Sequence, residues 1–286
     1  MEPSQIRLTD SLIKEWTQQE KERGRKPTAA NTPFRYSGAG DCARYLAYNA
    51  HDPALESTMD AGGVWVTGLG TRIHEWVQDS LSRRFPSATF EVATKLGDLI
   101  SGHCDAVIPE GNMIKAFPGW DGGNVLYELK TMGATKFDRQ IGLKRRARKV
   151  ENPEGPAISA IIQAGLNAMA NNCQTVIIGS VALECVSQGI AGDIGFTDFE
   201  RFIAEWTIPE DVWRPAAEAE LRRVENIATT IGQGFLPDRE YVKDVDGDTA
   251  HIDINRYWKC NGYCEYSDRC WADGDGVVPI EDKEVQ

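Results

Sequence analysis

Two carboxylates and a lysine lie close along one part of the chain: Asp105, then Glu128 and Lys130 with a single residue between them. Carboxylate oxygens suit Mg²⁺ or Mn²⁺, which prefer oxygen ligands and keep several waters. A cation held there would polarise a phosphoryl oxygen and acidify a bound water, and the Leu129 carbonyl is available as a further ligand. Lys130 would position the attacking water and offset charge building on the phosphorane. This D…ExK pattern is that of a metal-dependent phosphodiesterase. The ExK triplet alone is cheap, and the chain carries another at Glu281-Asp282-Lys283, in an acidic tail with no strand before it. Structural context therefore decides.

That context is two β-rich runs, Leu99 to Ile108 and Val125 to Thr131, each flanked by Gly and Pro signals. Alternate side chains of a strand share a face, so Glu128 and Lys130 point one way while Tyr127 and Leu129 point the other. The same rule groups Asp105 with His103 and Val107. Pairing of the runs would bring a carboxylate from each together beside the lysine. Phe90 to Leu96 reads as a strand that passes through Gly97 and Asp98 into the Asp105 strand, a meander.

Trp65 to Phe85 reads as a helix with Ile73, Trp76, Val77 and Leu81 on one side. His74 falls at the edge of that stripe, either as a metal ligand beside Asp105 or as a satisfied core-edge histidine. Ala157 to Ala170 is helical, with Ile158, Ile161, Ile162, Leu166 and Met169 as its apolar side. Gln163 sits among them, where a polar side chain needs a partner: the scissile phosphate, the attacking water, or a neighbouring backbone group. Thr175 to Leu183 is a continuous apolar run, as in a central strand. Phe202 to Ile208 gives another strand, and Pro209-Glu210-Asp211 opens a long helix carrying Leu221, Val224, Ile227 and Ile231 and closing at Gly232 and Gly234. Between the two site strands, Pro109 to Asn124 is a Gly/Pro-rich connection whose Trp120 either stacks on a base or packs onto its own loop.

A chain of 286 residues, 41% hydrophobic, can bury one elaborated domain with appendages. The division expected is an N-terminal helical extension over 1–32 (apolar stripe Leu8, Leu12, Ile13, Trp16), a main domain over 33–272 and an acidic tail over 273–286. No apolar run approaches the roughly 20 residues of a membrane span, and no signal peptide opens the sequence, so the expectation is a cytoplasmic protein without a membrane partner. A net charge of −12 disfavours nonspecific coating of nucleic acid. One stretch departs from that balance: Lys136, Arg139, Lys144, Arg145, Arg146, Arg148 and Lys149 stand against the single Asp138. Just downstream of the site, it is a candidate DNA-phosphate contact; the alternative is a solvated loop.

Seven cysteines in such a chain suggest metal or buried thiols before disulfides. Cys104, Cys173 and Cys185 lie in apolar or small-residue surroundings, as core thiols do. Cys260xxxCys264xxxxxCys270 is instead a compact ligand cluster lacking a fourth member. Cys42 stands near the start of a short helix after the turn at Tyr36 to Asp41.

The ordered set Cys42, His74, Asp105, Glu128xLys130, Gln163, Cys260, Cys264, Cys270 resembles the RecB-like branch of the PD-(D/E)XK nuclease superfamily. More narrowly, it resembles the iron–sulfur exonucleases that include the CRISPR-associated RecB-like family and the AddB nuclease domain. The resemblance spans roughly Tyr36 to Cys270. It implies an α/β (mixed α+β) restriction-endonuclease-like core, with a central mixed sheet flanked by helices and N- and C-terminal segments tied by a metal cluster. It implies His74, Asp105, Glu128 and the Leu129 carbonyl as ligands of Mg²⁺ or Mn²⁺, Lys130 as the catalytic lysine, and Gln163 as the glutamine of the following helix. Cys42, Cys260, Cys264 and Cys270 would hold a 4Fe-4S cluster. Implied partners are DNA, as single strands or duplex ends, and proteins of recombination, CRISPR adaptation or phage replication. The first C-terminal gap here has three residues, Ala43 follows Cys42, and Asn167 stands four residues after Gln163, where the family usually has two residues, a proline and a tyrosine. Two other readings are a catalytically weak DNA-binding or adaptor subunit and a four-cysteine zinc protein, since four thiolates bind zinc as readily as iron.

Overall fold

The computed structural model describes Gln18 and residues 32–51, 61–240, 264–274 and 276–280. The expected N-terminal helix, Cys260 and the Glu281-Asp282-Lys283 triplet lie outside the described residues. From β1 (Phe34–Arg35) the chain turns into α1 (Ala43–His51) and then α2 (Ala61–Arg84). A hairpin follows, β2 (Thr89–Leu96) with β3 (Ile100–Ile108), then α3 (Glu110–Ala116), β4 (Val125–Met132) and α4 (Ala134–Gln140). Next come a small hairpin of β5 (Leu143–Lys144) and β6 (Lys149–Val150), then α5 (Ile158–Ala170), β7 (Thr175–Ala182), α6 (Gln188–Ile194) and β8 (Ile203–Ile208). The rest is α7 (Glu210–Gly232), β9 (Phe235–Leu236), α8 (Ser267–Ala272) and β10 (Val278–Pro279).

The central sheet has six strands in the order β1-β3-β4-β7-β8, with β2 also paired to β3. It is mixed: β4 and β7 run parallel, as do β1 and β3, while β2–β3, β3–β4 and β7–β8 are antiparallel. β7 is paired on both edges, which accounts for its continuous apolar run. On one face α5 packs Ala160, Ala164 and Ala168 against Leu126, Val176 and Ile178. On the other, Ile73, Val77 and Leu81 of α2 cover Tyr127 and Leu129. The small residues of α5 also bring α7 close; a Cβ added at Gly165 would lie 2.9 Å from Ala217 Cβ. This central mixed sheet flanked by helices is the architecture expected, and it is consistent with a restriction-endonuclease-like core.

β3 is shared unequally along its length. Ile100 and Ser101 pair with β1 on one edge and with β2 on the other. Ala106 and Val107 keep β2, and Ala106 to Ile108 have β4 in place of β1. Among the described residues, 102–105 have no ladder partner on that edge, so a gap opens beside the middle of β3. Strict alternation also breaks there: Cys104 packs with Val107 and Leu126 on the α5 face, whereas Ala106 and Ile108 pack on the α2 face. Glu91, opposite in β2, has φ 49°, an uncommon left-handed backbone for a non-glycine, and Phe90 and Val92 on either side of it likewise pack on opposite faces. The grouping of Asp105 with His103 and Val107 by simple alternation is therefore corrected by a twist shared between the two strands.

Three further expectations change. Trp76 is 62% exposed and Ile158 61% exposed, so neither belongs to its helix's buried stripe. Trp76 lies one 100° step round the helix from Val77, off the face that meets the sheet. The Pro109 to Asn124 connection contains α3, with Met113 buried. Its Trp120 packs down onto the loop, donating from Nε1 to the Gly123 carbonyl at 2.9 Å. No helix among the described residues is long and apolar enough to cross a membrane.

Candidate active site

The gap between β3 and β4 is where Asp105 sits. Beyond Tyr127 the β4 backbone loses its β3 ladder partner, so the Leu129 N–H needs another acceptor. Asp105 Oδ2 accepts it at 2.6 Å, and Asp105 Oδ1 lies 3.0 Å from His74 Nδ1 on α2. In an extended strand the N–H and C=O of one residue face the same edge, so the Leu129 carbonyl opens onto this gap too. Burial alone would lower the His74 pKa. The hydrogen bond and charge of Asp105, with Glu128 behind it, outweigh that and raise it.

On the α5 face of β4, Glu128 and Lys130 stand side by side as alternation requires. Glu128 Oε1 accepts from Lys130 Nζ at 2.8 Å and from Gln163 Nε2 at 2.8 Å. Lys130 Nζ also donates to Gln163 Oε1 at 2.9 Å, which closes a triangle across the strand–helix interface. Gln163, the half-buried polar residue in the apolar side of α5, thus has its partners in the site. Asn167, one turn further on, is fully buried and donates to the His103 carbonyl at 3.4 Å. Glu128 is 3% exposed, and burial pushes its carboxyl up to about 7, with Lys130 opposing and Asp105 adding.

Glu128 Oε2 is buried without a hydrogen-bond partner among the described residues. An orphaned carboxylate oxygen, a second carboxylate and a free strand carbonyl form the hard oxygen-donor set that Mg²⁺ or Mn²⁺ takes. The donor chemistry fits. The arrangement is nevertheless closed, since among the described residues no three His, Cys, Asp or Glu side chains converge to hold a metal ion. His74 ends on Asp105 and Asp105 on the Leu129 amide, so those bonds would have to be exchanged for a cation.

The basic stretch is folded, not a loop: it runs through α4 and the β5–β6 hairpin. Arg145 is forked onto Asp138, Arg148 Nη1 meets Asp193 Oδ2 at 2.6 Å, and Lys149 Nζ meets Glu151 Oε1 at 2.6 Å. Lys136, Arg139, Lys144 and Arg146 are exposed and have no such acid among the described residues. Of these, Lys136 reaches the cleft beside Lys130 and Gln163. Gln140 borders the same cleft. Its position within a basic run carries no sequence signal for a site residue.

Cys42, Cys264 and Cys270 line one small cavity walled by Tyr45, Tyr48, Tyr266 and Trp271. The segments that carry them are bound together independently of any metal. Arg44 donates to the Gly274 carbonyl at 2.7 Å, Tyr48 to Asp273 at 2.6 Å and Tyr266 to Asn49 at 3.2 Å. Burial raises the Cys264 and Cys270 thiols, with neighbouring thiols adding to it; Arg44 and Arg239 oppose it at Cys270. Cys104 and Cys173 are core thiols as expected, but Cys185 is exposed, because it lies past the end of β7.

No protein-family model matches the chain, and no curated protein matches it. Among solved structures it is similar to the protein titled SSO0001, at 17% identity and a TM-score of 0.48, over 93% of this chain and 96% of that one. It is also similar to a phage-related exonuclease from Haemophilus somnus 129PT, at 13% identity and a TM-score of 0.41, over 67% of this chain and 81% of that one.

Proposed function

We propose that the chain is a metal-dependent deoxyribonuclease of the RecB-like PD-(D/E)XK type, acting on DNA ends or single strands. One observation supports this reading above the others: the Glu128–Lys130–Gln163 triangle stands on β4 beside the gap that presents Asp105 and the Leu129 carbonyl. Bound Mg²⁺ or Mn²⁺ on Asp105, Glu128 and the Leu129 carbonyl, with His74 beside them, would supply Lewis-acid polarisation of the phosphoryl oxygen. Lys130, held by two acceptors, places a fixed positive charge where negative charge grows in phosphoryl transfer. Gln163 fixes the Lys130 ammonium and the Glu128 carboxylate relative to each other. His74 fixes the Asp105 rotamer.

The three thiols around one cavity, with Cys260 as the fourth, are read as ligands of a 4Fe-4S cluster that staples the two ends of the domain. Hydrolysis needs no electron transfer, so its role is structural. Lys136, Arg139, Lys144 and Arg146 remain to contact DNA phosphates. Digestion of linear, circular and single-stranded DNA, with Mg²⁺ or Mn²⁺ and with chelator, tests the activity. Cleavage requiring a free end and a divalent ion is the expected result.

A further inference from the structure

We infer that the cleft between α4 and the first turn of α5 is an anion subsite that takes a second phosphate of the DNA strand, next to the scissile one. It is lined by Ser37, Lys130, Lys136, Gln140, Ser159 and Gln163, with no carboxylate among its lining residues. α5 is 13 residues long, and its N-cap, Ala157, offers no side-chain cap. The Ala160 and Ile161 amides bond back to the Ala157 carbonyl, while the Ile158 and Ser159 amides have no partner among the described residues. Unsatisfied amides at the positive end of a helix dipole, with a serine hydroxyl beside them, favour an anion.

An independent observation comes from the opposite wall. Gln140 is only 5% exposed, its Oε1 is buried without a partner, and neither atom of its amide is hydrogen-bonded among the described residues. A buried amide oxygen left unpaired costs stability, so such an atom calls for a partner. Its two ends are nearly equal in shape, and a half-turn would present the NH₂ to an acceptor in the cleft. Lys136 supplies charge from the same wall, and Lys130 and Gln163 are shared with the active site. An anion here therefore sits beside the reacting centre. That the anion is a DNA phosphate rests on the nuclease reading; that the cleft takes a phosphate does not.

The test uses metal-free full-length protein in EDTA, with inorganic phosphate as the first probe and a single-stranded oligonucleotide as the second. Wild type is compared with Lys136→Ala and Ser159→Asp. A carboxylate in the first turn suits the helix dipole, so Ser159→Asp is expected to fold while repelling the anion. Phosphate should raise the melting temperature of wild type more than that of either variant. This difference separates binding from the general stabilisation that phosphate salts give. Oligonucleotide affinity should fall roughly three- to tenfold in each variant, and the log–log salt slope should drop by about 0.7 in Lys136→Ala. Equal phosphate shifts in all three proteins, or, with a wild type that binds the oligonucleotide, unchanged affinity and slope in the variants, would overturn the subsite and leave the nuclease reading intact. A phosphate effect lost in the variants, from a wild type that binds no DNA, would keep the subsite and remove the nuclease reading.

Discussion

Gln163 and Lys130 are reciprocal anchors: Lys130 Nζ donates to Gln163 Oε1 at 2.9 Å, and both side chains donate to the same oxygen of Glu128. That leaves the other Glu128 oxygen buried and unpartnered among the described residues, so one oxygen of the carboxylate is fixed and the other keeps its hydrogen-bonding capacity unused.

Replacing Gln163 with Leu removes the anchor while keeping the volume. Losing hydrogen bonds to charged groups costs about 1–3 kcal/mol, and on this account much of that appears in the reaction. The turnover number should fall roughly ten- to hundredfold with KM little changed, because the lost interaction orients reacting groups rather than substrate. Steady-state kinetics on linear DNA would show this. A rise in KM at unchanged turnover would assign Gln163 to substrate binding.

The raised carboxyl of Glu128 makes metal-free stability depend on pH. Its folded pKa of about 7 lies above the unfolded value of 4.5, so the fold favours the protonated form. That contribution is fully present below about pH 4.5 and is lost as pH rises through 7. Melting in EDTA should therefore weaken from pH 5 to 8, by about 3 kcal/mol at most for this group, and Glu128→Gln should flatten the slope. A Glu128→Gln protein with the wild-type pH profile would contradict the assignment.

Much of the site was legible because its parts follow short-range rules. The ExK pair shares a face by strand alternation, and a glutamine in an apolar helical stripe needs a polar partner, although the partners expected were phosphate, water or backbone and those found are the Glu128 and Lys130 side chains. The twist at Asp105 and Glu91 was not legible, since it arises where β3 exchanges β1 for β4, a consequence of topology with no local signature. Pairing within the basic run was equally hidden. Asp138 lies in the run itself, but Asp193 comes from α6, far along the chain. Gln140 has no sequence signature either, because its burial is a product of tertiary packing and not of a local pattern.

The cations of the basic run should therefore separate into two kinds. Alanine at Lys144 and Arg146, which are exposed and lack an acidic partner among the described residues, should flatten the log–log salt dependence of single-strand binding by about 1.4 in total. Alanine at Arg145 should instead destabilise the protein, by about 0.5–1.5 kcal/mol, through loss of its forked contact with Asp138. Wild-type slopes in all three variants would mean that this surface does not contact DNA.

Cys42→Ala tests the cluster. If Cys42 is a ligand, the variant loses visible colour, iron and thermal stability together. Constraining so long a loop is worth on the order of 5 kcal/mol by analogy with a disulfide. A Cys42→Ala protein with full iron content that melts like wild type would exclude it. Zinc in place of iron after anaerobic purification would keep the thiol site but change its metal.

The central claim is most directly tested by Mn²⁺-dependent digestion of linear single-stranded DNA by wild type, Glu128→Ala and Lys130→Ala, with Mn²⁺ affinity measured in parallel. Glu128→Ala should lose metal affinity and cleavage together. Lys130→Ala should lose roughly a hundredfold or more in turnover while still binding Mn²⁺ and DNA, because its charge acts in the transition state. Undiminished Mn²⁺-dependent cleavage by both variants would contradict the assignment of this site.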